Sequence, residues 1–324
     1  MQDNHNTLVK MNQDRGSKLD DLQKANRKRQ KCEQLAESFK RLGFDAKAER
    51  VDRCGTELVF AHLLKEDRLI LHQANYCKER LCPMCAWLRT RQVFARVSTV
   101  MNEIQKERPM LVPLFLTLTL RNCEPSELSK TLDVVFQGWN RLTNNKKMKR
   151  LIVGWFRALE VTYNENADTY HPHVHAILLV EPTYFTNPKD YMPTEKWVAT
   201  WRKTLRLDYD PICNVQAIDT ENQVNAVAEV AKYTVKDVDY LKDSPDLTDK
   251  LVSTFGAAIK GRRLYAFGGL MKEVAKRLNL DNEQLTSDEV LDENGTPLRK
   301  DIDYVLLFYR WHIGLARYEM ERRV

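Results

Sequence analysis

The sequence predicts an α+β protein: a central antiparallel sheet with flanking helices, a small cysteine-rich module, and helical segments at both ends. Three observations lead there. Strand-like runs lie at 114–120, 151–162 and 173–180, and Asn164–Asp168 supplies a turn that makes the last two a hairpin. Helical patterns surround them at 126–141, 194–205 and 221–233. Four of the seven cysteines gather between positions 54 and 85, ahead of the strands. Strands that pair by hairpin, with helices between the others, indicate an antiparallel rather than a parallel sheet.

In chain order, residues 1–50 are polar and helical from about Lys18, with Leu19, Leu22, Leu35, Phe39 and Leu42 at helical spacing. The run Lys24–Lys31 makes this a basic N-terminal arm. Residues 51–105 hold the cysteines and read as a zinc-binding module. Residues 106–245 carry the strands and read as the main domain. Residues 246–324 read as a helical C-terminal region interrupted by an acidic linker at 281–303, with a turn at Asn294–Gly295. Asn144–Lys149 and Asp243–Asp249 read as loops, and no internal repeat is visible.

Charge narrows the function classes. The 51 basic and 45 acidic residues leave +6. Eight acidic residues between Asp281 and Asp303 face only Arg299 and Lys300, a local −6, so the rest carries 6 + 6 = +12. Basic runs at 78–96, 141–150 and 260–277, interleaved with Tyr76, Trp87, Phe94, Trp139, Trp155 and Tyr265, suit nucleic acid, although core aromatics on a solvated surface would look the same. No apolar run approaches the roughly 18 residues of a membrane span. The polar start shows no signal peptide. An odd number of cysteines then points to reduced thiols in a cytoplasmic protein, not to a disulfide framework.

Cys77-Lys-Glu-Arg-Leu-Cys82-Pro-Met-Cys85 sets three thiols within nine positions, and Cys54-Gly55 offers a fourth in a tight turn. Four thiolates from two turns complete a tetrahedral Zn²⁺ site, and the Cys-x-x-Cys lacks the βαβ context of a redox pair. Cys54 is the least specified ligand, with His62, His72 and Cys32 as substitutes. Cys123 and Cys213 stand apart as ordinary thiols.

His171, His173 and His175 alternate on one strand, so all three share a face while Val174, Ala176 and Leu178 take the other. Imidazoles so arranged form half of a metal site. If the strand ending in Thr162 pairs beside them, Glu160 supplies a carboxylate to the same ion; His171 is the rival third ligand. Glu229, Tyr233 and Lys236, at i, i+4 and i+7, would share one helical stripe. A tyrosine there needs a polarised electrophile to act as nucleophile, lysine can hold a phosphate, and glutamate can activate water. A plain solvated Glu–Tyr–Lys face fits the same spacing.

Together these pieces resemble the replication initiators of small rolling-circle plasmids, in the single-tyrosine branch of the endonucleases named for a His–hydrophobic–His (HUH) motif. Phe115-Leu-Thr-Leu-Thr119 is similar to the family's first motif, Tyr170-His-Pro-His173-Val-His175 to the second, and Tyr233-Thr-Val-Lys236 to the third. Cys77–Arg89, Val227–Leu241 and Lys260–Leu280 resemble flanking stretches. The resemblance implies an HUH-like fold and a DNA strand transferase. His173 and His175 would bind Mg²⁺ or Mn²⁺, and Tyr233 would attack single-stranded origin DNA to give a 5′-phosphotyrosine and a 3′-OH primer. Glu229 would activate the water that ends the cycle, with Lys236 neutralising charge on the phosphate. Arg80, Arg89, Arg262 and Arg263, in the matching basic runs, would contact DNA. Host helicase and DNA polymerase are the implied partners, with no membrane. Three rivals are a histidine-triad nucleotide hydrolase, a non-catalytic zinc-containing DNA-binding regulator, and a related transposase or relaxase. Pro172 and the cysteines speak against the first, and the His/Glu/Tyr/Lys set against the second. The cysteine region and Lys260–Leu280 favour the plasmid initiator over the third.

Overall fold

The computed structural model describes residues 18–65, 68–219, 223–231, 235–281 and 304–321. Helices α1 (Lys18–Arg41) and α2 (Asp45–Asp52) lead into strands β1 (Glu57–Leu63) and β2 (Arg68–Ala74) and the long helix α3 (Pro83–Glu107). Strand β3 (Val112–Thr119), helices α4 (Leu128–Asn144) and α5 (Lys146–Leu151), and the hairpin β4 (Ile152–Asn164) and β5 (Thr169–Val180) follow. Then come α6 (Thr183–Thr186), α7 (Thr194–Leu205), β6 (Cys213–Ala217), α8 (Gln223–Val230), α9 (Asp237–Tyr240) and α10 (Pro245–Ile259). Strand β7 (Tyr265–Gly268), helix α11 (Gly269–Arg277), and strands β8 (Tyr304–His312) and β9 (Arg317–Glu321) complete the described chain.

The strands form two wholly antiparallel sheets, as the hairpin signal required. The larger has the order β6-β3-β5-β4-β7, and the smaller β2-β1-β8-β9. Strand β5 is central in the larger sheet, between β3 and β4. Its alternation decides the layering. Leu114, Leu116 and Leu118 of β3, with Val174, Ala176 and Leu178 of β5, pack in one cluster with Trp139 of α4, Trp201 of α7 and Phe255 of α10. Ile177, Leu179 and Phe156 of the opposite face pack with Val97 and Val100 of α3, Val227 of α8 and Met271 of α11. A one-residue slip of β5 would exchange Val174, Ala176 and Leu178 with His173, His175 and Ile177, setting imidazoles among the leucines and tryptophans of the first cluster, where they would be buried without partners. The register of β5 against its neighbours is therefore strongly specified, and with it the placement of every polar residue on the strand.

Three expectations differ in detail. Asn144–Lys149 is not a loop: Asn145 Oδ1 accepts from the Lys147 amide at 2.9 Å and starts α5. Asp243–Asp249 likewise holds the start of α10, with Ser244 as N-cap and Pro245 in the first turn. The C-terminal region is only partly helical. Beyond α10 and α11 it supplies β7 to the larger sheet and the β8–β9 hairpin to the smaller, where Glu57–Leu63 pairs with Arg310–Tyr304. Short apolar runs such as Val305–Tyr309 read equally as helix or strand by period alone; their β-branched and aromatic content was the better guide. The acidic linker lies outside the described residues except for Asp281.

Candidate metal centres and active site

The first cluster is built where the N-terminal helices, the small sheet and α3 meet. Cys54 follows α2 in a turn completed by Gly55 at φ +70, Cys77 follows β2, and Cys82 and Cys85 occupy the N-cap and first turn of α3. All four Sγ atoms lie within 4.8 Å of one another, a group that can hold a metal ion. Cys54 Sγ is 3.4 Å from Cys82 Sγ and 3.6 Å from Cys85 Sγ, and Cys77 Sγ is 3.6 Å from Cys85 Sγ. The positive end of α3 favours thiolates at its first turn. Tyr318 of β9 donates to the Gly55 carbonyl, bracing the turn from the small sheet. Four thiols, three of them buried and Cys77 half-buried, suit a soft tetrahedral ion rather than a hard one. Of the three substitutes for Cys54, only Cys32 reaches the neighbourhood: its Sγ, on α1, is 3.5 Å from Cys82 Sγ, a fifth thiol at the rim of the group. Cys123 and Cys213 stay apart, and burial pushes the Cys213 thiol up to about 12, an unreactive group.

The second cluster lies on the larger sheet. In the β4–β5 register Glu160 pairs with His173 and Ala158 with His175; in the β3–β5 register Thr119 pairs with His173 and Thr117 with His175. Opposed residues share a face, so Glu160 and both imidazoles converge. His175 Nε2 is 2.9 Å, and His173 Nε2 3.2 Å, from the same Glu160 Oε2. These three residues form the second group that can hold a metal ion; His171, half-buried one step along, is not part of it. Two imidazole nitrogens and one carboxylate oxygen aimed at a common point are a donor set for a divalent ion with positions left open.

The surroundings set the electrostatics of this cluster. Lys236 Nζ lies 2.6 Å from Glu160 Oε1, the oxygen facing away from the histidines. Burial pushes the Glu160 carboxyl up, but the hydrogen bonds of His173, His175 and Lys236 outweigh it and hold the group well below the usual carboxylate range. Burial alone would lower the Lys236 ammonium, yet its partner Glu160 raises it, so the pair is charged at neutral pH. Behind His175, Thr117 Oγ1 is 3.2 Å from Nδ1 and the Phe115 ring is stacked at 5.8 Å. His173 Nδ1 is buried with no partner among the described residues.

The remaining expected site residues divide. Tyr233 lies outside the described residues. Glu229 is half-buried on α8, which ends at Val230. Lys236 is not on that helix; it is the extended N-cap residue of the separate short helix α9, so one continuous stripe through Glu229 and Lys236 does not form. The i, i+4, i+7 spacing misled because a helix was assumed to run past Tyr233. Arg80 donates to the carbonyls of Ile259 at 2.8 Å and Arg262 at 2.6 Å, fastening the cysteine loop to the end of α10. Arg262 reaches Asp133 at 2.7 Å. Arg89 donates to the Arg80 carbonyl at 3.4 Å, and Arg263 to the Asp281 carbonyl at 3.1 Å. Thr117 and the aspartates of α9 were missed. Thr117 was legible, since it shares the alternating face of the first motif; the aspartates were not, because their partners come from α1 and β4.

Comparison with known proteins bears on this arrangement. Residues 68–319 match the model of a family described as "Replication protein". That span holds the whole of the larger sheet and every residue of the two clusters except Cys54. The chain belongs to the replication protein family. A "Protein rep" of Bacillus amyloliquefaciens is 33% identical over 316 residues, covering 90% of this chain and 92% of the relative. A "Protein rep" of Streptococcus pneumoniae is 36% identical over 253 residues, covering 76% and 77%. A "Replication protein" of Staphylococcus aureus is 38% identical over 208 residues, covering 60% and 88%. No solved structure matches. The resemblance to plasmid replication initiators is thereby upheld, and origin DNA is the partner such an initiator binds. No helix among the described residues of this replication protein is long and apolar enough to cross a membrane.

Proposed function

We propose that this replication protein is an HUH-class endonuclease and strand transferase that starts rolling-circle synthesis on plasmid DNA. The observation that carries the reading is the convergence of Glu160, His173 and His175 with Lys236, three residues beyond Tyr233. Hard and borderline donors suit Mn²⁺ or Mg²⁺ at this cluster, while Zn²⁺ suits the four cysteines. When bound, the divalent ion polarises the scissile phosphate of single-stranded origin DNA.

Glu160 and the two imidazoles form a rigid receiving face, since all three stand on paired strands. The Tyr233 oxygen attacks the phosphorus: a Tyr–O–P bond forms, the P–O3′ bond breaks, and the 3′ oxygen takes a proton. The products are a 5′-phosphotyrosine and a 3′-OH primer. Lys236 offsets charge building on the phosphate oxygens. Glu229, four residues before Tyr233, takes a proton from the water that later attacks the phosphorus; the Tyr–O–P bond then breaks and the tyrosine oxygen takes a proton. Arg89 and Arg263 meet DNA directly, and Arg80 and Arg262 shape the surface that carries them. Host helicase unwinds the duplex and host polymerase extends the primer, in the cytoplasm.

The test is adduct formation with origin single strands and Mn²⁺. Tyr233→Phe is expected to abolish the covalent protein–DNA adduct, and an adduct that survives overturns the assignment of nucleophile. Glu229→Gln is expected to nick the first strand and fail in hydrolytic release; equal loss of both steps overturns that division. A parent protein that binds origin DNA and never forms an adduct would instead be a non-catalytic regulator.

A further inference from the structure

The segment that follows Tyr233 is seated on three separate parts of the fold. Asp237, buried, accepts from Lys28 Nζ at 2.5 Å through Oδ2 and from Lys31 Nζ at 2.7 Å through Oδ1. Those lysines are one turn apart on α1. Two residues on, Asp239 Oδ1 accepts from the Tyr163 amide of β4 at 3.2 Å, three positions past Glu160. Tyr240 Oη donates to the Leu81 carbonyl in the cysteine loop, and Gln34 of α1 donates to the Lys242 carbonyl at 2.8 Å. Lys236 stands at the head of this seat with its ammonium on Glu160.

Burying a carboxylate under two ammonium groups is a costly way to attach a helix, because both partners lose hydration; an apolar contact would attach it at less cost. What the charged clamp adds is direction. Lysine has a long, freely rotating stem, and its ammonium stays on one carboxylate oxygen only if the backbone beneath is held in place. Lys28 and Lys31, from the basic run of the N-terminal arm, are thus engaged within the protein.

We propose that Asp237, gripped by Lys28 and Lys31, is a positioning residue that holds Lys236 on Glu160, so that helix α1 sets the charge at the metal-ligating carboxylate. This rests on reading Glu160, His173 and His175 as the metal site. Anything that loosens α1 from Asp237 would release Lys236, and Glu160 would face the ion with its full charge.

The experiment is a double-mutant cycle read on Mn²⁺ affinity, in the full chain with its cysteine site loaded with zinc. Lys236→Met is expected to tighten Mn²⁺ binding about fivefold, because a cation beside the ligand is gone. Asp237→Asn is expected to tighten it by about threefold, and to add nothing when combined with Lys236→Met. Lys28→Met with Lys31→Met should reproduce Asp237→Asn, and carries the test if that variant fails to fold. Asp237→Glu should retain the parent affinity. A merely structural aspartate predicts weaker Mn²⁺ binding or full additivity, and either result overturns the proposal, as does an affinity unmoved in both the Asp237 and the paired lysine variants. The nuclease reading is judged separately. A parent that makes no adduct but shows the expected cycle loses the nuclease and keeps the clamp; an adduct with an additive cycle does the reverse.

Discussion

The two clusters share one chain and differ in almost every physical respect. The cysteine group is a four-donor set: three buried thiols and the half-buried Cys77, drawn from the turn after α2, the loop after β2 and the start of α3, enough to fill a tetrahedral ion. The Glu160 group is open: three donors on two neighbouring strands, one of them already engaged by a lysine. In the first, the ligands come from two loops and a helix start that no shared strand register fixes against one another. In the second, the sheet places the ligands whether or not an ion is present, because leucine and valine packing on the reverse face specifies the register. On the proposed reading, a metal in the first would contribute to folding and one in the second to chemistry.

The largest expected effect follows from that contrast. Structural zinc contributes apparent binding energies of about 10–16 kcal/mol in small domains, and much of that is folding energy. If the four thiols hold zinc as proposed, Cys85→Ser is expected to lose it and to lower the melting temperature by roughly 10 °C or more. His175→Ala is expected to remove Mn²⁺ binding and adduct formation while melting within a few degrees of the parent. Metal content by mass spectrometry and a thermal melt of the two variants decide it. If His175→Ala melts as low as Cys85→Ser, the sheet does not preform its site and the comparison fails.

A smaller effect concerns acid. Glu160 ionises below its ordinary range of about 4.3. Its folded-state value is depressed, so the stability it contributes is present above about pH 4.3 and lost as pH falls through the folded-state value. Glu160→Gln is expected to cost on the order of 2 kcal/mol at pH 7, and to flatten the loss of stability below about pH 4. Urea midpoints at pH 7 and pH 3 measure both. A variant whose acid slope equals that of the parent would show that Glu160 is not the group that titrates.

Much of the open site was legible in the sequence and less of the closed one's setting was. The histidines at alternate positions needed only the two-residue period of a strand, and Glu160 followed once a hairpin turn placed β4 beside them. Cys77, Cys82 and Cys85 were visible as local spacing. Cys32 and the α1 lysines became informative only through partners 50 or more positions away, which no local period encodes. The β8 strand was misread as helical because its pairing partner, β1, lies about 250 residues earlier. Lys236 lies beside Glu160 but not on the helix the spacing suggested, because a seven-residue period does not show where a helix stops.

The finest distinction between the clusters lies behind the ligands. A metal-bound imidazole is held by whatever its second nitrogen meets, and removing that partner commonly costs 10–100-fold in metal affinity. His175 meets Thr117 at 3.2 Å, whereas the corresponding nitrogen of His173 meets nothing among the described residues. Thr117→Val keeps the shape and the strand preference of the residue and removes only the hydroxyl. It is expected to weaken Mn²⁺ binding about tenfold, to leave the metal content of the cysteine cluster unchanged, and to shift the melt by little, since Thr117 is half-buried and valine keeps its packing. Thr119→Val is the control. Thr119 opposes His173, but its hydroxyl donates instead to the Ile212 carbonyl at 3.0 Å, so its loss should change Mn²⁺ affinity far less than the loss of the Thr117 hydroxyl. Equal effects from the two threonines would mean that the strand positions the imidazoles by packing alone, and that the hydroxyl behind His175 has no part in presenting its ring to the ion.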